Sequence, residues 1–294
     1  MPGLERRWAP VCAVAFTPYA ALTAPLPVAV AVATRQWWAA AVAGVALAGL
    51  VAAVAPRAIP SPDGGTGPVL RVLTANLMHG ECDPDALVSL VRDHAVDLLA
   101  LQEYTLRADG KLRAAGLGEL LPYRSAEPRP RGNGSALYSR YPLDAQECRI
   151  NAGGHRNARA SVEVPGAAAL HAESVHPASL YHPHKLPAWH AGLAGLPAAG
   201  PDGPVRLLLG DFNATLDHAR LRALLRTGYR DAASVAGRGL VPTWPYRNYG
   251  PIPRVTLDHV LADRRVRVRA VAVYPIPGSD HRAVFAELIL PTPG

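Results

Sequence analysis

Short aliphatic runs that stop on a carboxylate, an amide or an imidazole constrain this chain more than any other feature. VLRVLTANL (69–77) reaches Asn76, VDLLALQE (96–103) reaches Gln102 and Glu103, AAALHAESVH (167–176) reaches His176, and the run from Val205 passes Gly210 into Asp211, Phe212 and Asn213. Runs of this length and composition read as strands buried in a sheet. Gly210 lets the backbone turn sharply at a strand end. With a period of two, Asp211 and Asn213 leave on one side while Phe212 points back into the core. That pairs an ionisable acceptor, able to take a proton or hold a hard cation, with an amide able to donate to a phosphate oxygen. A single Asp or Asn after a strand is ordinary turn chemistry. Polar residues interrupting several strands at one edge indicate a cleft instead.

The remaining pattern alternates helices with strands. Asp83-Pro84 opens a helix to about His94, with Asp as N-cap and Pro at the first position. GSALYSRYPL (134–143) reads as a strand stopped by Pro142, and NARASVEV (157–164) pairs with 167–176 as a hairpin across Pro165-Gly166. Helices are expected at 186–196 and 217–226, and strands at 255–263, 267–274 and 281–290; the last group brings Asp258, Asp280 and His281 to strand ends. Together these predict a β-rich α/β domain.

Ahead of that domain the chain is different. Val11–Thr34 and Gln36–Pro56 carry no charged residue, with Arg35 alone between them and Trp37-Trp38 at the junction. Each run exceeds the roughly 20 residues a helix needs to cross a bilayer. The expectation is a tail (1–10), two transmembrane helices (11–55), a Pro/Gly linker (56–68), a catalytic domain (69–290) and a short tail (291–294). Pro18, Pro25 and Pro27 make the first span irregular. Arg6, Arg7 and Arg57 flank the outer ends against Arg35 in the loop, which leans towards an integral membrane protein with a cytoplasmic domain. The net charge is +7 over 294 residues. Residues 1–68 hold +2 of it, four Arg against Glu5 and Asp63, and the downstream surplus is almost all Arg, since Lys111 and Lys185 are the only lysines. Scattered arginine suits phosphate groups but does not form the stripe expected of a nucleic-acid binder. Three cysteines exclude a disulfide scaffold, and Cys82 and Cys148 read as free core residues.

TANL (74–77), LALQE (99–103), GSALYSRYPL (134–143), SVH (174–176), GDFNAT (210–215), LDHV (257–260) and GSDHRAV (278–284) occur in an order that resembles the endonuclease/exonuclease/phosphatase (DNase I-like) superfamily. The resemblance implies a four-layer α/β sandwich of two packed mixed β-sheets, here preceded by a transmembrane helical hairpin. It implies a Mg²⁺-dependent (or Mn²⁺-dependent) hydrolase of phosphoester bonds, with Glu103 as principal metal ligand, Asn76 beside it, and Asp280 anchoring that end of the site as a ligand to a second metal. Asp211 and Asn213 would align the attacking water and a phosphate oxygen. His281, oriented by Asp258, would stabilise developing charge, and His176 would stand near the leaving oxygen. Trp244, Tyr246 and Arg247 lie where the family carries substrate-side contacts. The expected substrate is a phosphorylated one, lipid-linked or nucleic acid, with the bilayer as the other partner and no protein partner implied. A nuclease, or a binding protein that kept the fold, are the alternatives. His259, next to Asp258, reads as structural, while His79 and His155 read as rim or surface residues. His182, His184 and His190 lack the spacing of a zinc site.

Overall fold

Twelve strands sort into two six-stranded sheets in the computed structural model, which describes residues 4–61, 64–247 and 250–293. The strands are β1 (Val69–Asn76), β2 (Leu98–Gln102), β3 (Tyr123–Glu127), β4 (Ser135–Ser139), β5 (Leu143–Ile150), β6 (Arg156–Val162), β7 (Leu170–Val175), β8 (Val205–Asp211), β9 (Tyr229–Asp231), β10 (Asp258–Asp263), β11 (Arg267–Pro275) and β12 (Arg282–Ile289). The first sheet runs β11-β12-β1-β2-β4-β3 and the second β5-β6-β7-β8-β10-β9. Both are mixed: β1 pairs parallel with β2, and β7 with β8, among otherwise antiparallel neighbours.

Strand alternation explains the layers. Leu70, Val72, Leu98 and Ala100 of one sheet meet Ala158, Ala160, Leu207, Leu209 and Val260 of the other in a shared core. The opposite faces point outward to helices, as period-two alternation requires. Leu73, Leu99 and Leu101 pack under α5 (Pro84–Asp93) and α6 (Leu106–Ala114), close to α7 (Leu117–Leu120). Leu208, Phe212 and Leu261 pack under α8 (Leu186–Ala194) and α9 (Ala219–Arg226), and α10 (Ala232–Val235) follows β9. The expected helix–sheet–sheet–helix sandwich is therefore present. Asp83 caps α5 by accepting from the Asp85 and Ala86 amides, as its sequence position suggested.

The N-terminal apolar region forms four helices, α1 (Trp8–Val14), α2 (Thr17–Thr23), α3 (Pro25–Ala33) and α4 (Trp37–Val54). The helix Trp37–Ala58 is long and apolar enough to cross a membrane, and Trp8–Val14 with Thr17–Ala33 is a pair bent by 61°. That bend divides the first uncharged run. Val11 is wholly buried against α8 and α9, Trp8 Nε1 donates to the Leu180 carbonyl at 2.7 Å, and His218 Nε2 lies 3.1 Å from the Val11 carbonyl. Glu5 accepts from the Ala219 amide at the start of α9. So α1 belongs to the domain surface, while α2, α3 and α4 expose Leu22, Leu26, Val30, Trp38, Val42 and Val45.

Both roots of this hairpin are fastened. Tyr19 Oη donates to the Arg254 carbonyl at 2.8 Å, and Arg57 grips Asp217 with two hydrogen bonds of 2.8 and 2.5 Å. Ser61, in the expected linker, donates its amide to the Val235 carbonyl.

Candidate active site

The polar strand ends converge at one edge of the sandwich. Asn76, last residue of β1, donates its amide hydrogens to Glu103 Oε1 at 3.2 Å and Asp211 Oδ2 at 3.1 Å, so one side chain ties carboxylates from both sheets. Its own Oδ1 accepts from the Met78 amide at 3.0 Å. Glu103 follows β2 in a left-handed conformation, φ 55°. Its Oε2 accepts from the His79 amide at 2.7 Å and lies 3.1 Å from His79 Nδ1. Gly132 stands directly behind it: a Cβ there would crowd His79 Nδ1 and Glu103 Oε2.

Asp211 closes β8 opposite Asp258, the first residue of β10. Asp211 Oδ1 accepts from the Asn213 amide at 2.8 Å, and its Oδ2 lies 3.6 Å from His176 Nε2 and 3.7 Å from His281 Nε2. Asp258 Oδ2 is 2.8 Å from His281 Nδ1, and the Asp258 amide donates to Thr243 Oγ1 at 3.1 Å. Burial opposes a charge on His281, but Asp258, Asp211 and Asp280 overcome it and raise its pKa to about 10, so the ring is an imidazolium. Burial raises the Asp211 carboxyl to about 7, with His281 acting against the rise. Ser279 links the two strand ends, donating to the Asn76 carbonyl at 2.8 Å while accepting from the His281 amide at 3.1 Å.

His176 is held differently. Burial, then the neighbouring His155, His281 and His79, push its pKa well below the usual value, so the ring is neutral. His155 Nδ1 lies 3.1 Å from both His176 Nδ1 and the His176 carbonyl oxygen. A carbonyl can only accept, so the proton between these groups sits on His155 Nδ1. His176 Nδ1 then accepts, and its proton is on Nε2, facing Asp211 Oδ2 and, at 4.0 Å, Glu103 Oε1. Asn151 Nδ2 donates to the same His176 carbonyl at 2.7 Å.

The other expected residues are distributed as follows. Asn213, at φ 47°, donates Nδ2 to the Pro177 carbonyl at 3.0 Å, while Phe212 is buried beneath it. Asp280 accepts from Trp244 Nε1 at 3.0 Å and is one of the carboxylates that raise the His281 pKa. Tyr246 donates its amide to the Asp280 carbonyl, and its ring carries the guanidinium of Arg247 at 5.1 Å and that of Arg282 at 4.9 Å. His259 lies between Asp231 Oδ1, at 3.0 Å, and the Ala214 carbonyl, away from the cleft. His79, exposed, and His155, half-buried, stand at the rim as expected, and both touch site residues, Glu103 and His176. Gln102, Ser174 and Thr74, which lie in the stretches LALQE, SVH and TANL without a role of their own there, form a buried chain that crosses between the sheets under the site, with Gln102 Nε2 on Ser174 Oγ at 3.0 Å and Thr74 Oγ1 on Gln102 Oε1 at 3.2 Å. The three cysteines are free.

The donor set suits a hard divalent cation. Asp258 and Glu103 each act on the buried Asp211 from either side and add to the rise that burial gives its carboxyl, an accumulation of acid that burial makes costly and a cation would relieve. Asp211, Asp258 and His281 offer ligand atoms within 4.8 Å of one another. Asp258 Oδ2 is taken by His281, but Asp258 Oδ1 is buried with no hydrogen-bond partner among the described residues, an orphaned acceptor beside Asp211 that a cation would satisfy, while Glu103 offers a partly exposed carboxylate on the other side of Asn76. Carboxylate oxygens with room for water and a substrate phosphate are what Mg²⁺ takes.

Comparison with known proteins agrees with this geometry. The model of the Endonuclease/Exonuclease/phosphatase family matches residues 73–281. Among solved structures, an endonuclease/exonuclease/phosphatase from Beutenbergia cavernae DSM 12333 is 19% identical over 76% of this chain and 72% of that one, with a TM-score of 0.58. Truncated Caenorhabditis elegans TDP2 is 17% identical over 75% and 98%, with a TM-score of 0.57. Sphingomyelinase C from Streptomyces griseocarneus is 18% identical over 75% and 99%, with a TM-score of 0.53. No curated protein matches the chain in sequence. At such identities the solved structures speak for the fold, and the family model spans the strands that carry Asn76 to His281. The chain belongs to the endonuclease/exonuclease/phosphatase family of metal-dependent phosphoester hydrolases.

Proposed function

We propose that this protein is a membrane-anchored, Mg²⁺-dependent phosphoesterase that cleaves a lipid-linked phosphate ester or anhydride by attack of water. The observation that carries this reading is the common edge from which site and hairpin arise. The hairpin roots are fixed at Arg254, by Tyr19, and at Asp217, by Arg57; Arg254 precedes Asp258 and Asp217 follows Asn213 by four residues each. On this reading a bilayer holding α2–α4 would lie on the side where the cleft opens, so that a lipid-borne phosphate would reach the cleft without leaving the membrane surface.

Glu103 would hold the divalent ion, Mg²⁺ or Mn²⁺, with Asn76 fixing its carboxylate and Asp280 bracing the neighbouring loop. A bound ion supplies charge neutralisation at the phosphate and lowers the pKa of water. The chain's own groups supply position. Asp211, held by Asn76 and the Asn213 amide, aligns the water. Asn213 brings an amide to the phosphate. His281, a cation oriented by Asp258, stabilises charge on the phosphoryl oxygens, and His176 donates from Nε2 near the leaving oxygen. Phosphoryl chemistry is mostly positioning and charge compensation, which this set provides. Trp244, Tyr246 and Arg247 form the rim nearest Asp280 and contact the substrate beyond its phosphate.

A panel of polyprenyl pyrophosphate, phospholipids, RNA and plasmid DNA, offered with Mg²⁺ to wild type and Glu103→Gln, tests the assignment. Turnover of a lipid phosphate that Glu103→Gln loses supports it. Turnover confined to DNA or RNA would make the protein a nuclease instead.

A further inference from the structure

The outer face of the second sheet carries a second hollow, of about 310 Å³, unconnected with the strand-end cleft. Its floor is built from two rows of cross-strand neighbours. One row is Gln146, Arg159 and Glu173, and the other Ser161, His171 and Arg206. Arg149 and Pro197 form its wall. β7 supplies both sites, but His171 lies five residues before His176. At about 3.3 Å per residue the two imidazoles stand roughly 17 Å apart, and Glu173 faces the outer side while Ser174 faces the other sheet.

Positive charge in this hollow is not balanced. Glu173 is its one acid, and it is already held by Arg149 Nε at 3.0 Å and Asn157 Nδ2 at 3.0 Å. Arg149 also donates to the Gly195 carbonyl at 3.1 Å, which fixes its guanidinium as a wall. Among the described residues the Arg159 guanidinium has the neutral Gln146 Oε1 as its hydrogen-bond partner, at 3.2 Å, while its cross-strand neighbour Glu173 is taken by Arg149. Arg206 makes no hydrogen bond or ion pair among the described residues, although it is half-buried. It sits directly across the ladder from His171, whose pKa is lowered by burial and then by Arg206 and Arg159. Arg206 and Arg159 thus both keep His171 from taking up a proton, and an anion among them would be favoured.

We propose that this hollow is a binding site for a phosphate dianion, either free or as the head of a phosphomonoester. Two uncompensated guanidinium forks match the charge and offer paired hydrogen bonds to its oxygens. Ser161 Oγ and Gln146 Nε2, which lie 3.3 and 3.4 Å from the ring nitrogens of His171, add neutral donors on the floor. The hollow admits a phosphate together with a small organic group.

The test uses the full chain in detergent with EDTA present, so that turnover is silent, and titrates inorganic phosphate and glycerol 3-phosphate calorimetrically. A His281→Asn background removes the cationic group of the catalytic cleft. Saturable binding is expected there, weakened about tenfold or more by Arg206→Gln through loss of a charged hydrogen-bond donor, and again by Arg159→Gln. Which of the two ligands binds more tightly distinguishes free phosphate from a monoester head group. Absence of saturable binding for both ligands overturns the proposal, as does equal affinity in both arginine variants.

Discussion

Asn76 is the side chain on which the two halves of the cleft depend, because its amide reaches a carboxylate from each sheet. It is legible in the sequence for the same reason as Glu103, His176, Asp211, Asp258 and His281: each interrupts or ends an aliphatic run. His155 is not legible. It sits at the end of the turn between β5 and β6, and what makes it functional is a contact with His176 across 21 residues of chain. His155→Phe removes the donor that holds the proton of His176 on Nε2. Outer-shell partners of this kind are worth roughly 10–100-fold, so kcat should fall by about that factor with KM little changed. Nitrogen chemical shifts of the imidazoles should show His176 losing its Nε2–H form. An unchanged tautomer would remove His155 from this role.

His259 supplies a separate residue-scale test. Burial works against its charge, yet the hydrogen bond and charge of Asp231 win and raise its pKa above 6.5. A raised folded-state pKa stabilises the fold fully below the unfolded value and loses that contribution as pH rises through the folded value. The denaturation midpoint should therefore fall as pH climbs above about 6.5, and His259→Asn should flatten that part of the profile.

At the scale of elements, the buried strands are readable and the exposed ones are not. β1, β2, β7 and β8 are nearly continuous aliphatic runs, whereas β5 lies at a sheet edge, exposed along much of its length, with a bulge between Gln146 and Arg149. Its sequence, LDAQECRI, has no clean alternation, because solvent does not select one. β3 and β9 are short edge strands with the same difficulty, and α6 has as many charged residues as apolar ones and a central Gly110. Gly210 shows the reverse, a position where the element cannot form with another residue: a Cβ there would overlap the Val175 carbonyl on β7. Gly210→Ala should cost at least about 1–3 kcal/mol through overpacking, read as a lower denaturation midpoint. The same substitution at Gly118, with open space around it, should change little.

For the molecule as a whole, the division into anchor and domain is less sharp than composition suggests. Apolarity and freedom from charge are shared by α1, which the domain buries, and α2–α4, which it leaves exposed, and no periodicity separates the two. A deletion of residues 17–54, bridged by a short linker, keeps α1 and Arg57 in place. It should give a protein that leaves the membrane fraction yet hydrolyses a soluble phosphoester. Deleting residues 1–58 removes Val11 and the partner of Asp217, and should aggregate or lower stability by several kcal/mol, since breaking one side of a buried ion pair alone costs about 3–5 kcal/mol. Equal behaviour of the two deletions would contradict the docking of α1.

The most direct measurement follows phosphate release from a lipid pyrophosphate by the membrane-embedded protein, with Mg²⁺ or EDTA, in wild type and Asp211→Asn. Dependence on the metal and a loss of about 10²–10⁴-fold in the variant are the predicted results. Release that survives both EDTA and the loss of Asp211 would show that the chemistry takes place somewhere other than this edge of the sandwich.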